Sequence, residues 1–283
     1  MKDFKGKTAF ITGGASGIGF GMAQAFGRAG MNVVVADINW DIAREAAELL
    51  QARQIKAVPV HCDVTLRGEV QRAALESVAA FGKIHVVCNN AGVAVGGPLG
   101  TVGERDWDWI IDVNLKGVVY GVETFLPLIK SHGEGGHFVN TASMAGLLSP
   151  PNMEPYTATK FAVVAMSEGW APQLAPMSIG MSVLCPGFVR TRIHESNRAR
   201  QSRYGERAPD TRSDGARAEA AKMVLGGIDP EIVGERVVEA IKQDELYIFT
   251  HPEMKVAVEA RFESIRAGFK RAEESQALHA VRK

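Results

Sequence analysis

Thr8 to Thr12, Asn32 to Ala36, Ala57 to His61, His85 to Cys88, His137 to Thr141, Met181 to Cys185 and Tyr247 to Phe249 are short runs rich in apolar and β-branched residues. Helix-length amphipathic stretches lie between them, and this alternation predicts repeated βαβ units. Runs such as Val33-Val34-Val35-Ala36 are apolar at every position instead of every second one. A strand needs that pattern only when both faces of its sheet are covered. The expected fold class is therefore α/β, a doubly wound parallel sheet of about seven strands with helices on both faces.

The pattern dissolves between Pro186 and about Gly227 into a polar segment carrying Arg190, Arg192, Arg198, Arg200, Arg203, Arg207, Arg212 and Arg217. It follows the carboxyl end of a strand, where open α/β sheets bind ligands. A lid over substrate, spanning about 188 to 227, and a solvated helical excursion are both consistent with it. From Pro252 through Arg282 the chain reads as a helical extension with Val256, Ala260, Phe262, Ile265 and Phe269 on one stripe. That stripe would pack on the body, on a neighbouring subunit or beside the substrate cleft.

Composition narrows the function classes. With 283 residues, 46% of them hydrophobic, the chain suffices for one large core, so residues 1 to 283 are expected to form a single domain. Lysine plus arginine balances aspartate plus glutamate at 32 each, which provides no global field for nucleic acid or an anionic membrane and points to a small-molecule partner. Cys62, Cys88 and Cys185 are widely spaced with no CxxC pairing, so they are expected as buried thiols and no metal site is expected. No apolar stretch approaches the roughly 20 residues of a membrane span, and a cytoplasmic location is expected.

Candidate chemistry begins at Thr12, where a strand runs into Gly13-Gly14-Ala15-Ser16-Gly17-Ile18-Gly19 and then a helical run from Phe20 to Ala29. A glycine turn at a helix amino terminus offers free N–H groups and the positive end of the helix dipole to a phosphate. Asp37, just past the second strand, stands where an acid would bind the adenosine ribose hydroxyls, or would cap the next helix. A carboxylate there favours NAD over NADP, whose added phosphate it would repel by on the order of 1 to 3 kcal/mol. Asp63, after the third strand, and Asn89-Asn90-Ala91-Gly92, after the fourth, fall at the same edge, where they would line the adenine and the second ribose.

A second constellation lies downstream. Tyr156 and Lys160 are four residues apart in a helical segment and so share a face. An ammonium there would help lower the phenol's pKa from near 10, making Tyr156 a general base. Ser143, thirteen residues earlier across a turn forced by Pro150 and Pro151, would bring its hydroxyl to the phenol and orient a substrate oxygen. Asn114, polar within an apolar amphipathic run, needs partners for its amide, and water near Lys160 would complete a proton relay.

TGGASGIG at 12 to 19, Asp37, Asp63-Val64, NNAG at 89 to 92, Asn114, Ser143, YTATK at 156 to 160 and PGFVRT at 186 to 191 together resemble the short-chain dehydrogenase/reductase family, in its compact single-domain, Rossmann-type branch. The resemblance implies NAD as cofactor, bound through Gly13, Ser16, Gly17, Ile18, Gly19, Asp37, Asp63, Val64, Asn90, Ala91 and Gly92. It further implies that Pro186, Gly187, Val189 and Thr191 hold the nicotinamide carboxamide and that Tyr156 and Lys160 reach its ribose. Homodimers or homotetramers would form through the helices near 110 to 130 and 156 to 174. Met1-Lys2-Asp3-Phe4, the arginine-rich insert and Leu246-Tyr247-Ile248-Phe249 are similar to bacterial members that oxidise benzylic alcohols of lignin-derived aryl ethers.

The expected activity is NAD-dependent interconversion of a secondary alcohol and its ketone. An NADP-dependent carbonyl reductase, an epimerase or dehydratase on the same scaffold, and a non-catalytic dinucleotide-binding regulator are its rivals. Met144, Leu147, Leu148, Met153 and Phe188 favour an apolar or aromatic substrate, while His194 or an insert arginine would suit a carboxylate.

Overall fold

The computed structural model describes residues 1–206 and 214–279. Arg207 and Arg212 of the insert, and the end of the tail including Arg282, lie outside the described residues. The chain divides into two compact units, Met1–Thr250 and His251–Lys283, where the sequence pattern suggested one domain.

In the larger unit strands and helices alternate as β1 (Thr8–Thr12), α1 (Gly17–Arg28), β2 (Asn32–Asp37), α2 (Trp40–Ala52), β3 (Ala57–His61), α3 (Arg67–Phe81) and β4 (Val86–Asn89). There follow α4 (Glu104–Ile111), α5 (Gly117–His132), β5 (Gly136–Thr141), α6 (Glu154–Leu174), β6 (Ile179–Cys185), α7 (Asp214–Leu225), α8 (Pro230–Gln243) and β7 (Tyr247–Phe249). The strands form one sheet in the order β3-β2-β1-β4-β5-β6-β7, and every neighbouring pair is parallel. The order reverses between β1 and β4, which opens a crevice at their carboxyl ends.

Side chains alternate across this sheet into two cores. Ile11, Val33 and Val35 join α1, α2 and α8 on one face, whereas Phe10, Val34 and Val87 join residues of α3, α4 and α5 on the other. Phe10 and Phe125 rings meet at 4.4 Å in the second core. All three cysteines are free and buried.

The second unit holds α9 (Lys255–Glu273) and α10 (Gln276–His279). The expected stripe lies on α9, but no residue of that helix is buried, and Val256 and Phe269 are 72% and 70% exposed. Among the described residues, no helix is long and apolar enough to cross a membrane.

Glycines set the spacing of α1 against α8. A Cβ on Gly234 would stand 2.2 Å from the Gly21 carbonyl oxygen, and one on Gly21 would stand 2.1 Å from that of Pro230. Both obstacles are backbone, so neither can swing aside. Gly234→Ala is expected to lower stability by about 2 kcal/mol and the melting temperature by about 5 °C, read by thermal unfolding. An unchanged melting temperature would show that the two helices separate freely.

Candidate active site

Four segments converge on the crevice between β1 and β4. The turn after β1 is compressed: Gly13 and Gly17 take φ values of +61° and +51°, and a Cβ on Gly19 would lie 2.1 Å from the Gly13 carbonyl oxygen. Ser16 precedes α1 in an extended conformation and its side chain makes no cap hydrogen bond, while the first turn, beginning Gly17-Ile18-Gly19, carries no acid. The amino terminus of α1 is thus left open to an anion.

Thr12 ties this turn to the loop after β4. Its hydroxyl accepts from the N–H groups of Asn90 and Ala91 at 2.9 and 3.0 Å and donates to the Cys88 carbonyl at 3.3 Å. Asn90 donates its side-chain amide back to the Thr12 carbonyl at 3.0 Å. Asp37, the last residue of β2, accepts from the N–H of Ala15 at 3.4 Å and of Asn39 at 3.1 Å. It does not cap α2, because Asn39 does so by accepting from the Ile42 N–H at 3.2 Å. Burial pushes the Asp37 carboxyl above its ordinary value, against the pull of those two N–H groups and of the Arg198 charge.

Two of the candidate side chains stand beside Gly92, where a Cβ would lie 3.4 Å from Asn114 Oδ1 and 3.5 Å from Lys160 Nζ. Asn114 sits in a π-helical turn, Asp112–Lys116, inserted between α4 and α5, a local widening that recurs at functional sites. Its amide clamps the Val93 backbone, accepting from N–H at 2.8 Å and donating to the carbonyl at 2.9 Å, and also donates to Thr159 Oγ1 at 3.2 Å. Three protein groups thus partner the amide. Lys160, on α6, is buried and donates to the Thr141 carbonyl at 2.8 Å. Ser143 starts a short turn just beyond β5 and accepts from the Ala145 N–H at 3.1 Å. Tyr156, one helical turn before Lys160, has that ammonium 5.6 Å from its ring centroid.

The segment after β6 closes the crevice from the other side. The Pro186 carbonyl accepts from the Met144 N–H at 2.9 Å, Val189 bridges to Ile228, and the Thr191 methyl lies 3.0 Å from a Cβ built on Gly17. Gly187 is the second residue of this segment. Val64 is buried against Gly117 of α5. Asp63 lies at the far end of the crevice, beyond β3, and its carboxylate is heavily used. It accepts from the N–H and hydroxyl of Thr65 at 3.0 and 2.6 Å, from Gln201 Nε2 at 2.9 Å and from Arg203 at 3.1 Å.

Around the opening, Leu147, Leu148 and Met153 are half-buried and Phe188 is 44% exposed, whereas Met144 is buried. His194 lies 3.7 Å from Glu195, and Arg190, Arg192, Arg200 and Arg203 pair with Asp229, Glu195, Asp106 and Asp63. These four arginines of the insert are thus engaged within the chain. Thr141, Thr159, Gln201 and Arg203 are site residues that sequence reasoning missed. The two threonines sit inside recognisable segments, but nothing local marks Gln201 or Arg203.

Residues 7–202 match the model of the short chain dehydrogenase family. The chain belongs to that family. A C alpha-dehydrogenase of a Sphingobium species is 36% identical over 266 residues, covering 94% of this chain and 87% of the relative. A family member from Burkholderia phymatum, solved in complex with NAD, superposes with a TM-score of 0.91 at 38% identity, covering 95% of this chain and 97% of its own. LigO of Sphingobium, in its apo form, superposes at 0.83 with 31% identity, covering 99% of this chain and 95% of its own. This family membership establishes an oxidoreductase of the dehydrogenase type with a Rossmann-like fold.

His85, His132 and Glu134, at the opposite end of the sheet, bring ligand atoms within 4.8 Å of one another. The Thr8 N–H donates to His85 Nδ1 at 3.2 Å, so the proton of the neutral ring sits on Nε2, facing Glu134 at 3.0 Å. His132 is fixed likewise, Nδ1 accepting from the Glu134 N–H at 3.2 Å and Nε2 lying 2.9 Å from the Ile84 carbonyl. Each ring's lone pair is thus spent on a backbone donor, which disfavours a cation there.

Burial sets the proton affinities of Tyr156 and Lys160. It pushes the Tyr156 phenol above its ordinary value, and the Ser143 hydroxyl pulls it back only in part. It pushes Lys160 down to about 8. Because the unfolded lysine keeps its proton to near 10.4, the unfolded chain binds more protons than the folded one above pH 8, and folding stability rises with pH there. Between pH 7.5 and 9.5 wild-type stability should gain roughly 2 kcal/mol relative to Lys160→Met, measured by denaturant unfolding of both proteins. A constant difference would show that Lys160 titrates alike in both states.

Proposed function

We propose that this chain oxidises a secondary alcohol to its ketone, reversibly, with NAD as cofactor and Tyr156 as general base. The observation that carries the reading is the meeting of Tyr156, Lys160, Ser143 and Asn114 beside a glycine turn that ends in an open helix terminus. The donor set fits a dinucleotide: backbone N–H groups for a pyrophosphate, a carboxylate at Asp37 for a ribose diol, and a cradle at Gly13, Gly17 and Gly19 that side chains would fill. When bound, NAD would supply the hydride acceptor.

The residues of the chain would do the rest. Ser143 would donate to the substrate oxygen and hold it against the phenol. Lys160 would stabilise the phenolate form of Tyr156, which would take the substrate's hydroxyl proton and become the neutral phenol. Asn114 would act as a positioning residue, fixing the Val93 backbone beside Lys160. The half-buried Leu147, Leu148 and Met153 and the exposed Phe188 suit an apolar or aromatic carbinol, and the likeness to a C alpha-dehydrogenase supports that class. Three free, buried thiols are consistent with a reducing, cytoplasmic setting, and assembly as a homodimer or homotetramer belongs to the same reading.

Tyr156→Phe should bind NADH within about threefold of wild type while turnover of aryl carbinols falls at least about 100-fold, seen by absorbance at the reduced cofactor's band. Turnover that survives would remove Tyr156 from the reaction. The carboxylate of Asp37 should make kcat/KM for NAD about tenfold or more above that for NADP, and Asp37→Ser should narrow the gap. A wild-type preference for NADP would overturn the role given to Asp37.

A further inference from the structure

The chain leaving β6 does not turn straight back to α8. Residues 193–204 run from Thr191, beside the turn after β1, to Asp63, beyond β3. In the strand order, the carboxyl ends of β5, β4, β1 and β2 lie between β6 and β3, so this path spans the crevice. Its attachments are specific. Ser196, buried, accepts from the Ala94 N–H at 2.9 Å in the loop after β4. Arg200 stands 4.8 Å from the Trp109 ring centroid and 2.7 Å from Asp106, and the two charged side chains are 6% and 5% exposed. Gln201 bridges two elements, accepting from Trp109 Nε1 at 3.0 Å and donating to Asp63 at 2.9 Å. The Tyr204 hydroxyl donates to Asp112 at 2.7 Å.

We propose that residues 193–204 are a strap across the adenosine half of the cofactor crevice, latched on α4 and Asp63, which must unlatch for a dinucleotide to enter or leave. The inference rests on the reading of the crevice as a dinucleotide site and adds to it a control over exchange. Arg198, midway along the strap, is near enough to Asp37 for its charge to act on that carboxyl, which places the strap at the ribose end. Opening would break the buried Arg200–Asp106 pair and its packing on Trp109 before water can replace them, which makes the latched state long-lived. Gln201 and Tyr204 add contacts that release together with it, since Trp109, Asp106 and Asp112 belong to one continuous helical stretch.

A gate acts equally on both directions of exchange, and that distinguishes it from a cofactor contact. Stopped-flow mixing with NADH, followed by tryptophan fluorescence, would give association and dissociation rates for wild type, Gln201→Ala/Tyr204→Phe and Arg200→Met. The double substitution keeps the buried Arg200–Asp106 pair, so the variant has reason to fold even where Arg200→Met does not. The strap predicts that both rates rise about tenfold or more in a folded variant while Kd stays within about threefold. Unchanged rates in the folded double variant would overturn it, and so would faster dissociation alone with a matching loss of affinity. If wild type binds neither NADH nor NADPH, the reading of the crevice falls, and the strap falls with it.

Discussion

The hydroxyl of Thr12 holds the working half of this protein in register. It accepts from two consecutive N–H groups of the loop after β4 while the Asn90 amide returns a bond to the Thr12 carbonyl. β1 and β4 are the strands between which the sheet order reverses, so their loops diverge to opposite faces and leave a crevice. Nothing in the strand ladders continues past that point. The threonine clasp takes over there, fixing the glycine turn that would take a phosphate relative to Gly92 and Val93. Asn114 in turn grips Val93, and Lys160 stands beside Gly92. The distance between a phosphate cradle and a proton-transfer group is thereby set by a handful of hydrogen bonds among buried or half-buried atoms, where each is worth more than it would be in water.

The fold was legible because its requirement is redundant along the chain. Each inner strand must be apolar on both faces, and runs such as Val33 to Ala36 in β2 announce themselves wherever they occur. Ends moved by one or two residues, as with β6 beginning at Ile179, because small and polar residues at a strand's start carry no periodicity. The tetrad was legible for a different reason, since Tyr156 and Lys160 are neighbours on one helix and Ser143 is close in sequence. Asn114 was found, but its environment was not. The π-helical turn that aims it depends on Val93 and Thr159, twenty-one and forty-five residues away.

The insert marks where sequence reasoning stops. Its arginines read as a charged run whose partners were open. For Arg200 and Arg203 they proved to be Asp106, ninety-four residues earlier, and Asp63, one hundred and forty residues earlier. Pairings of that separation leave no periodic trace, and an arginine bound for a buried carboxylate looks the same as one bound for solvent. Asp63 shows the consequence. It stands at the edge where an adenine was expected, yet its carboxylate oxygens already accept from Thr65, Gln201 and Arg203.

Lys160 carries the cost of this arrangement. An ammonium with a single carbonyl partner among buried neighbours is a poor structural element, since burial alone draws its proton affinity down to about 8. A methionine of similar length would fill the same space without the desolvation. The chain nevertheless places a cation beside a phenol whose own affinity for its proton burial has raised, so that burial alone disfavours the charged form of each group. The same low dielectric that destabilises each charge strengthens the attraction of lysine for phenolate, so the two charges are tolerated best as a pair. Stability given up at one buried lysine is thus the condition under which the phenolate proposed for Tyr156 would find a counter-charge.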